Sequence, residues 1–283
     1  MIVFDNKREL TTYLDELKRK GLSLGFVPTM GALHDGHSSL ILEGLQDNTY
    51  VVVSIFVNPT QFNNNEDLEK YPRTLEKDVS LLQTISEDRI IVYSPRASDI
   101  YGEKIASEHF DFDGLEHEME GRFRPGHFDG VGTVVKRLFE IVKPDRAYFG
   151  KKDYQQLMIL KKLVSKHDLG VKVIGCDIFR ADDGLAMSSR NERLSKAQRA
   201  AAPFIYKTLN AAKAKFGTNS AKEITDWMQE QFENHELLTL EYFLIADAET
   251  LKTIKQKSTN KSYRAFIAVY AGEVRLIDNI ALN

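Results

Sequence analysis

Residues 22–41 limit what this chain can fold into more than any other stretch. Leu22 to Val27 is short and apolar, as a strand buried in a parallel sheet should be. Pro28 is expected to stop it. Gly31 and Gly36 allow sharp turns and a close approach of the backbone to a ligand. His37-Ser38-Ser39 then opens a helix in which Leu40, Ile41 and Leu45 recur at helical spacing. The first turn of a helix has N–H groups without intrahelical partners and the positive end of the dipole, so it suits a phosphate. His34 and His37 stand three apart and share a face if the helix begins there. Two imidazoles at such a place suggest nucleotide chemistry; packing, capping and a metal pair are the ordinary alternatives. No third ligand with zinc spacing stands nearby. The pattern is neither GxGxxG nor GxxxxGK[ST], which argues against the dinucleotide and P-loop sites.

The same strand–loop–helix rhythm continues. Glu9 to Lys20 reads as an amphipathic helix ended by Gly21, and Tyr50 to Val57 as a second buried strand. Asn58-Pro59-Thr60-Gln61-Phe62 is a polar loop at its end, extended by Asn63-Asn64-Asn65-Glu66-Asp67. Thr74 is placed to cap a helix through about Ile85, and Arg89 to Tyr93 makes a third strand. Ser94 to Phe112 has no regular pattern. Gly121 to Gly132 reads as a Gly-rich, basic loop, followed by a helix over about Thr133 to Ile141. Arg146 to Phe149 is a short strand, Tyr154 to His167 a helix and Val171 to Phe179 a strand. Alternation of this kind implies an α/β fold with a doubly wound parallel sheet, in which ligands bind at the carboxyl ends of strands. Beyond about residue 180 two helices, Ser195 to Phe216 and Ala221 to Phe232, precede three strands. Ala271-Gly272-Glu273 is a hairpin turn between the last two. The expected division is a nucleotide-binding domain over residues 1–178 and a smaller α+β domain over 179–283.

Composition narrows the function. Lys and Arg number 38 against 41 Asp and Glu, a net charge of −3, which does not favour nucleic acid or an anionic membrane as a partner. No apolar run has membrane-spanning length, and the first residues lack the apolar core of a signal peptide. The single cysteine, Cys176, rules out an internal disulfide framework and sits in an apolar run, as a buried thiol would. A reducing, cytoplasmic setting is expected.

Several polar residues admit two readings. Asn58 and Gln61 fit ordinary turn chemistry, or recognition of a hydroxylated or carboxylated small molecule. Lys152 and Asp153 begin a helix, where Asp is commonly a cap; alternatively the ammonium of Lys152 meets phosphates. Met187-Ser188-Ser189-Arg190 follows a loop containing Gly184. It is either a turn with an exposed arginine or two hydroxyls and a guanidinium suited to a triphosphate.

Pro28-Thr29-Met30-Gly31-Ala32-Leu33-His34-Asp35-Gly36-His37 resembles the signature of the pantothenate synthetase (pantoate–β-alanine ligase) family. Within it His34-Asp35-Gly36-His37 is similar to the HIGH motif of the nucleotidyltransferase superfamily. The resemblance implies a Rossmann-like, HIGH-type nucleotidyltransferase domain. It also implies ATP-dependent ligation of pantoate and β-alanine through a pantoyl adenylate, with release of AMP and pyrophosphate. Phe149-Gly150-Lys151-Lys152-Asp153-Tyr154-Gln155-Gln156 is similar to the family's FGxKDxxQ segment, and Met187 to Arg190 takes the place of the superfamily's KMSKS loop. By the same resemblance, ATP is contacted by Met30, Gly31, Ala32, Leu33, His34, Asp35, Gly36, His37, Gly150, Lys151, Lys152 and Asp153, and by Phe179, Met187, Ser188, Ser189 and Arg190. His34, His37, Lys152 and Arg190 carry catalysis, and Gln61 and Gln156 hold pantoate. Tyr71-Pro72-Arg73-Thr74 also matches the family's pattern, and Asp78 after it is placed to help hold Mg²⁺. Arg122, Arg124 and His127 resemble the family's RPGHF segment. A homodimer is implied as well. The ordered motifs cover most of residues 24–191.

Overall fold

A computed structural model describes residues 1–62 and 68–283. The expected loop extension Asn63 to Asp67 lies outside the described residues. The chain forms two compact units, one of residues 1–151 and 155–177, the other of 152–154 and 178–283.

The larger unit is built on a six-stranded, wholly parallel sheet flanked by helices. Its strands are β1 (Ile2–Phe4), β2 (Leu24–Thr29), β3 (Tyr50–Ile55), β4 (Ile90–Tyr93), β5 (Arg146–Gly150) and β6 (Lys172–Cys176), in spatial order β1-β4-β3-β2-β5-β6. The chain leaves β2 in one direction through β3 and β4, then returns to pair β5 on its other side. That reversal is a topological switch point, where open α/β sheets leave a crevice beyond the carboxyl ends of their strands. The loops after Thr29 and Gly150 flank it. Val51, Val53 and Ile55 alternate onto one face of β3 and pack with Val27, Ile41, Leu82 and Val92 in a core without exposed members.

Pro28 does not stop β2. It pairs in register with Ser54, and the strand runs on to Thr29. The carbonyl of Thr29 accepts from Phe56 N on the β3 side, so alternation puts the nitrogen of Pro28 on the β5 side. There the ladder extends only to Phe26, and the missing N–H breaks nothing. The expected Gly-rich loop is also corrected. Helix α6 already begins at His127 and runs to Val142. Its glycines are packing residues: a Cβ on Gly130 would sit 2.3 Å from the carbonyl oxygen of Thr60, and one on Gly132 would press on Phe110 and Phe112. Further helices of this unit among the described residues are α1 (Lys7–Arg19), α2 (Asp35–Asp47), α3 (Leu75–Ile85), α4 (Ala97–Tyr101), α5 (Met119–Phe123) and α7 (Tyr154–His167), whose first residue belongs to the other unit. The segment without a regular pattern thus holds α4.

The smaller unit packs helices α8 (Lys196–Ala201), α9 (Phe204–Phe216) and α10 (Ala221–Glu233) with an antiparallel sheet, β7 (Thr239–Asp247), β8 (Tyr263–Ala271) and β9 (Val274–Ala281). Pro203 divides the first expected helix in two. The β8–β9 hairpin turns through Gly272 at φ +61°, a conformation natural to glycine. No helix among the described residues is long and apolar enough to cross a membrane.

Candidate active site

The loop after β2 is held by a single carboxylate. Thr29 ends the strand, its hydroxyl donating to Ser54 O at 2.7 Å and accepting from Gly31 N at 3.2 Å. Gly31 and Ala32 then take φ of +85° and +49°. Asp78, on α3 and buried, accepts from Ala32 N through Oδ2 at 3.0 Å and from Leu33 N through Oδ1 at 2.8 Å. The hydroxyl of Thr74 donates to Oδ1 at 3.2 Å. A Cβ on Gly31 would fall 3.1 Å from Asp78 Oδ2, so both its φ and its space call for glycine. Asp78 was expected to help hold Mg²⁺. The structure gives oxygens of Asp78 to the loop amides, and no cluster of three His, Cys, Asp or Glu side chains occurs among the described residues.

The helix start differs from the simple expectation of open backbone donors. His34 is the N-cap of α2, and its Nδ1 accepts from Gly36 N at 3.1 Å. His34 O accepts from His37 N and Ser38 N. In return His37 Nδ1 accepts from His34 N at 3.3 Å, which completes a reciprocal capping box made of two imidazoles. Their ring centroids are 4.1 Å apart. An Nδ1 that accepts carries its lone pair, so each neutral ring bears hydrogen on Nε2. The Gly36 and His37 amides are thereby spent inside the cap, and the imidazole N–H groups add donors at this helix start.

Gln61 lies on a short 3₁₀ turn after β3 that is pinned from several sides. Asn58, buried, donates to Gln61 Oε1 and to Gly130 O, both at 3.2 Å, and its Oδ1 accepts from the hydroxyls of Thr60 and Tyr101. The backbone carbonyl of Gln61 accepts from His127 Nδ1 at 2.8 Å and from Arg124 at 3.2 Å. Its side-chain amide meets the sulfur of Met30 at 2.9 Å. The turn-chemistry reading holds for Asn58, which builds the turn that carries Gln61. Sequence reasoning found Arg124 and His127 but not their task, and it passed over Tyr101, which lies in the segment without a pattern. On α7 neighbouring glutamines divide the work. Gln155 is buried and bonds Glu120 N, Leu115 O and Glu118 O, whereas Gln156 is half-buried with no side-chain hydrogen bond among the described residues. Lys151 pairs with Asp177 at 2.6 Å beside Gly150. Cys176 is buried; burial and Glu43 push its thiol pKa well up.

In the smaller unit Lys152 has Nζ 3.4 Å from Asp153, and its carbonyl accepts from Asn279 Nδ2 at 2.8 Å. Residues 179–187 close on themselves as a hairpin: Met187 N donates to Phe179 O, Ala181 N to Leu185 O. The ring of Phe179 is exposed. Arg180 clamps the root. It forms a two-pronged pair with buried Asp278 at 2.6 and 2.9 Å, reaches Gly184 O at 3.1 Å and lies 3.7 Å over the ring of Tyr206. Gly184 turns at φ +92°, and a Cβ there would strike Tyr206 at 2.5 Å. A second pair, Arg199 with Asp183 at 2.5 Å, holds the Asp183 carboxyl below its usual range. Ser188 caps a 3₁₀ turn, Ser189–Arg193, by accepting from Arg190 N at 3.3 Å. Ser189 is buried and Arg190 half-buried. The loop containing Gly184 is thus a braced hairpin.

A family model described as pantoate-beta-alanine ligase matches residues 2–281. The chain belongs to the pantoate–β-alanine ligase family. It is 57% identical over 283 residues, all of both chains, to a pantothenate synthetase of Christiangramia forsetii, and equally to one of Flavobacterium psychrophilum. Among solved structures it resembles the pantothenate synthetase of Thermus thermophilus, with a TM-score of 0.91 and 38% identity over 100% of this chain and 99% of that one. A pantoate-beta-alanine ligase from Francisella tularensis, complexed with beta-gamma ATP and beta-alanine, aligns with a TM-score of 0.82 and 37% identity over 100% and 98% of the two chains. The family membership makes this chain a ligase of pantothenate biosynthesis with ATP as a substrate.

Proposed function

We propose that the enzyme joins pantoate to β-alanine in two half-reactions. The pantoate carboxylate attacks the α-phosphate of ATP, giving pantoyl adenylate and pyrophosphate. The amine of β-alanine then attacks the activated carbonyl, and AMP leaves with the C–O bond electrons as the amide forms. The reading is supported most by one observation: two imidazoles capping each other at the start of α2, in a chain matched end to end by pantothenate synthetases. Charge builds on the α-phosphate and on departing pyrophosphate, and preset donors lower that barrier. His34 and His37 supply Nε2–H donors in this role, and Lys152, Ser188, Ser189 and Arg190 supply an ammonium, hydroxyls and a guanidinium. Gln61 and Gln156 are neutral, which fits the hydroxyls of pantoate. The ATP contacts expected of Met30 to His37, Gly150 to Asp153, Phe179 and Met187 to Arg190 belong to the same proposal. So do a division near residue 178, a homodimer and a cytoplasmic setting. Both Asp78 oxygens bond the loop, and no cluster of three His, Cys, Asp or Glu side chains is found among the described residues. Mg²⁺ is proposed only as the counter-ion of the triphosphate, and no step is routed through it.

Isotope exchange tests the order of events. With pantoate and Mg²⁺ but no β-alanine, the enzyme should exchange labelled pyrophosphate into ATP. With β-alanine alone it should not. An absolute requirement for β-alanine would remove the free adenylate and with it this mechanism.

A further inference from the structure

We propose that Asp78 is a positioning residue that presents the His34–His37 pair to the triphosphate, with no task in binding metal; the proposal rests on the function given above. Between the end of β2 and the cap of α2 lie four residues, Met30 to Leu33. Ala32 among them sits at φ +49°, a left-handed conformation that costs a non-glycine residue about 1 kcal/mol. Such a conformation persists only where its surroundings insist on it. Asp78 supplies that constraint: its two oxygens take the N–H groups of Ala32 and Leu33, the residues immediately before the cap.

The carboxylate has little capacity left. Ionised, it offers about four lone-pair sites. Leu33 N and the Thr74 hydroxyl use two on Oδ1, and Ala32 N uses one on Oδ2. Gly31 packs over Oδ2 so closely that even a methyl group would crowd it. A metal ligand needs an open lone pair facing solvent or substrate, and Asp78 is 2% exposed. The same bonds solve an electrostatic problem, since a bare carboxylate here would repel a polyphosphate. Two amide dipoles and a hydroxyl aimed at it hold that charge inward. The loop they fix then sets where His34 N lies, and His34 N is what His37 Nδ1 accepts. Asp78 thereby acts on the tautomer and orientation of both imidazoles without touching either.

The test uses Asp78→Asn, which keeps the shape but turns one oxygen into an NH₂ facing a loop amide, and Thr74→Val, which removes only the third bond. Histidine is labelled with ¹⁵N and its tautomers are read by NMR in the whole protein without nucleotide. Pyrophosphate–ATP exchange with pantoate is measured against Mg²⁺ concentration. In the unaltered enzyme His34 and His37 should both show the Nε2–H form. In Asp78→Asn that signature should give way to mixed tautomers, and the exchange rate should fall about tenfold or more, the usual scale for misplacing a transition-state donor. The Mg²⁺ midpoint should stay within about twofold, and Thr74→Val should move the same readouts less. A tenfold rise in the Mg²⁺ midpoint, with the rate restored by excess metal, would make Asp78 a ligand and overturn the proposal. So would a folded Asp78→Asn with unchanged tautomers and rate. If that variant fails to fold, unchanged tautomers and exchange in Thr74→Val overturn it equally. Absence of exchange in the unaltered enzyme would instead reject the functional reading, while the tautomers still decide the anchor.

Discussion

Replacing Arg180 by methionine should destabilise the smaller unit by about 3 kcal/mol. The substitution keeps an apolar stem and deletes the guanidinium. That removes both bonds to Asp278, the bond to Gly184 O and the stacking over Tyr206. Asp278 has a side chain only 4% exposed, and the substitution leaves it Asn279 N–H at 2.7 Å. Breaking a buried pair by removing one partner costs roughly 3–5 kcal/mol, because a charge is left without compensation. The surviving amide bond puts the figure at the low end. Urea unfolding followed by the fluorescence of Trp227 is the assay. Trp227 is the protein's one tryptophan, and it packs against the core of this unit. With a slope of about 2 kcal/mol per molar urea, the midpoint should drop by roughly 1.5 M. Adding Asp278→Asn removes the stranded charge and should restore about half of the loss or more. A drop below about 0.3 M, or a double-mutant cycle with coupling near zero, would refute the view that this pair braces the hairpin.

Three shorter predictions follow from other sites. His37→Ala should lower pyrophosphate release roughly a hundredfold, the usual cost of a lost electrostatic or acid–base partner; near-normal release by the folded variant rejects its placement over the triphosphate. Gln156→Ala should raise KM for pantoate more than KM for ATP, because a site made to hydrogen-bond a hydroxyl depends on that bond; steady-state kinetics giving the reverse order would assign Gln156 to the nucleotide. Burial pushes the Asp247 carboxyl up, but Lys261 at 2.8 Å and the amides of Thr250 and Glu249 outweigh it and hold it down at about 2, from 3.8. A folded pKa below the unfolded one stabilises above the unfolded value and loses that contribution as pH falls through the folded one. Stability read by Trp227 should therefore decline between about pH 4 and pH 2, and Asp247→Asn should flatten that decline; parallel pH curves would contradict it.

The α/β class was legible because it rests on short-range pattern. Val51, Val53 and Ile55 announce a strand by period and apolarity, and each following helix by spacing. Edge strand β1 was not, since three residues with Ile2 and Val3 half-exposed give no period to read. Gly130 and Gly132 were misread for a different reason. Glycine signals a loop when judged locally, but here it signals the close approach of Thr60 and of Phe110 and Phe112, which are distant in sequence. Of the residues proposed to act on substrate, His34, His37, Gln61 and the Met187 to Arg190 segment stand in recognisable motifs. Their supports do not: Asn58 reaches Tyr101 and Gly130, and Arg180 reaches Asp278 across 98 positions.

Those supports share a physical logic. The loop leading to the histidine pair and the hairpin leading to Met187 each end on a buried aspartate, Asp78 in one unit and Asp278 in the other. A loop meant for a polyphosphate must display donors, and donors left unsatisfied repel one another and disorder the loop before the ligand arrives. A buried carboxylate can absorb the donors that the ligand does not need and fix the backbone that carries those it does. It takes the Ala32 and Leu33 amides in one case and the Arg180 guanidinium in the other. It does so without lending negative charge to the surface, because each oxygen is met by N–H. Removing either carboxylate should therefore weaken nucleotide handling through lost geometry even though it makes the neighbourhood more positive. Neutralising an exposed acid outside the proposed ATP contacts, such as Asp182 in the hairpin, should do the opposite or nothing. The sign of that contrast, measured as the KM for ATP across the three substitutions, separates preorganisation from simple charge attraction.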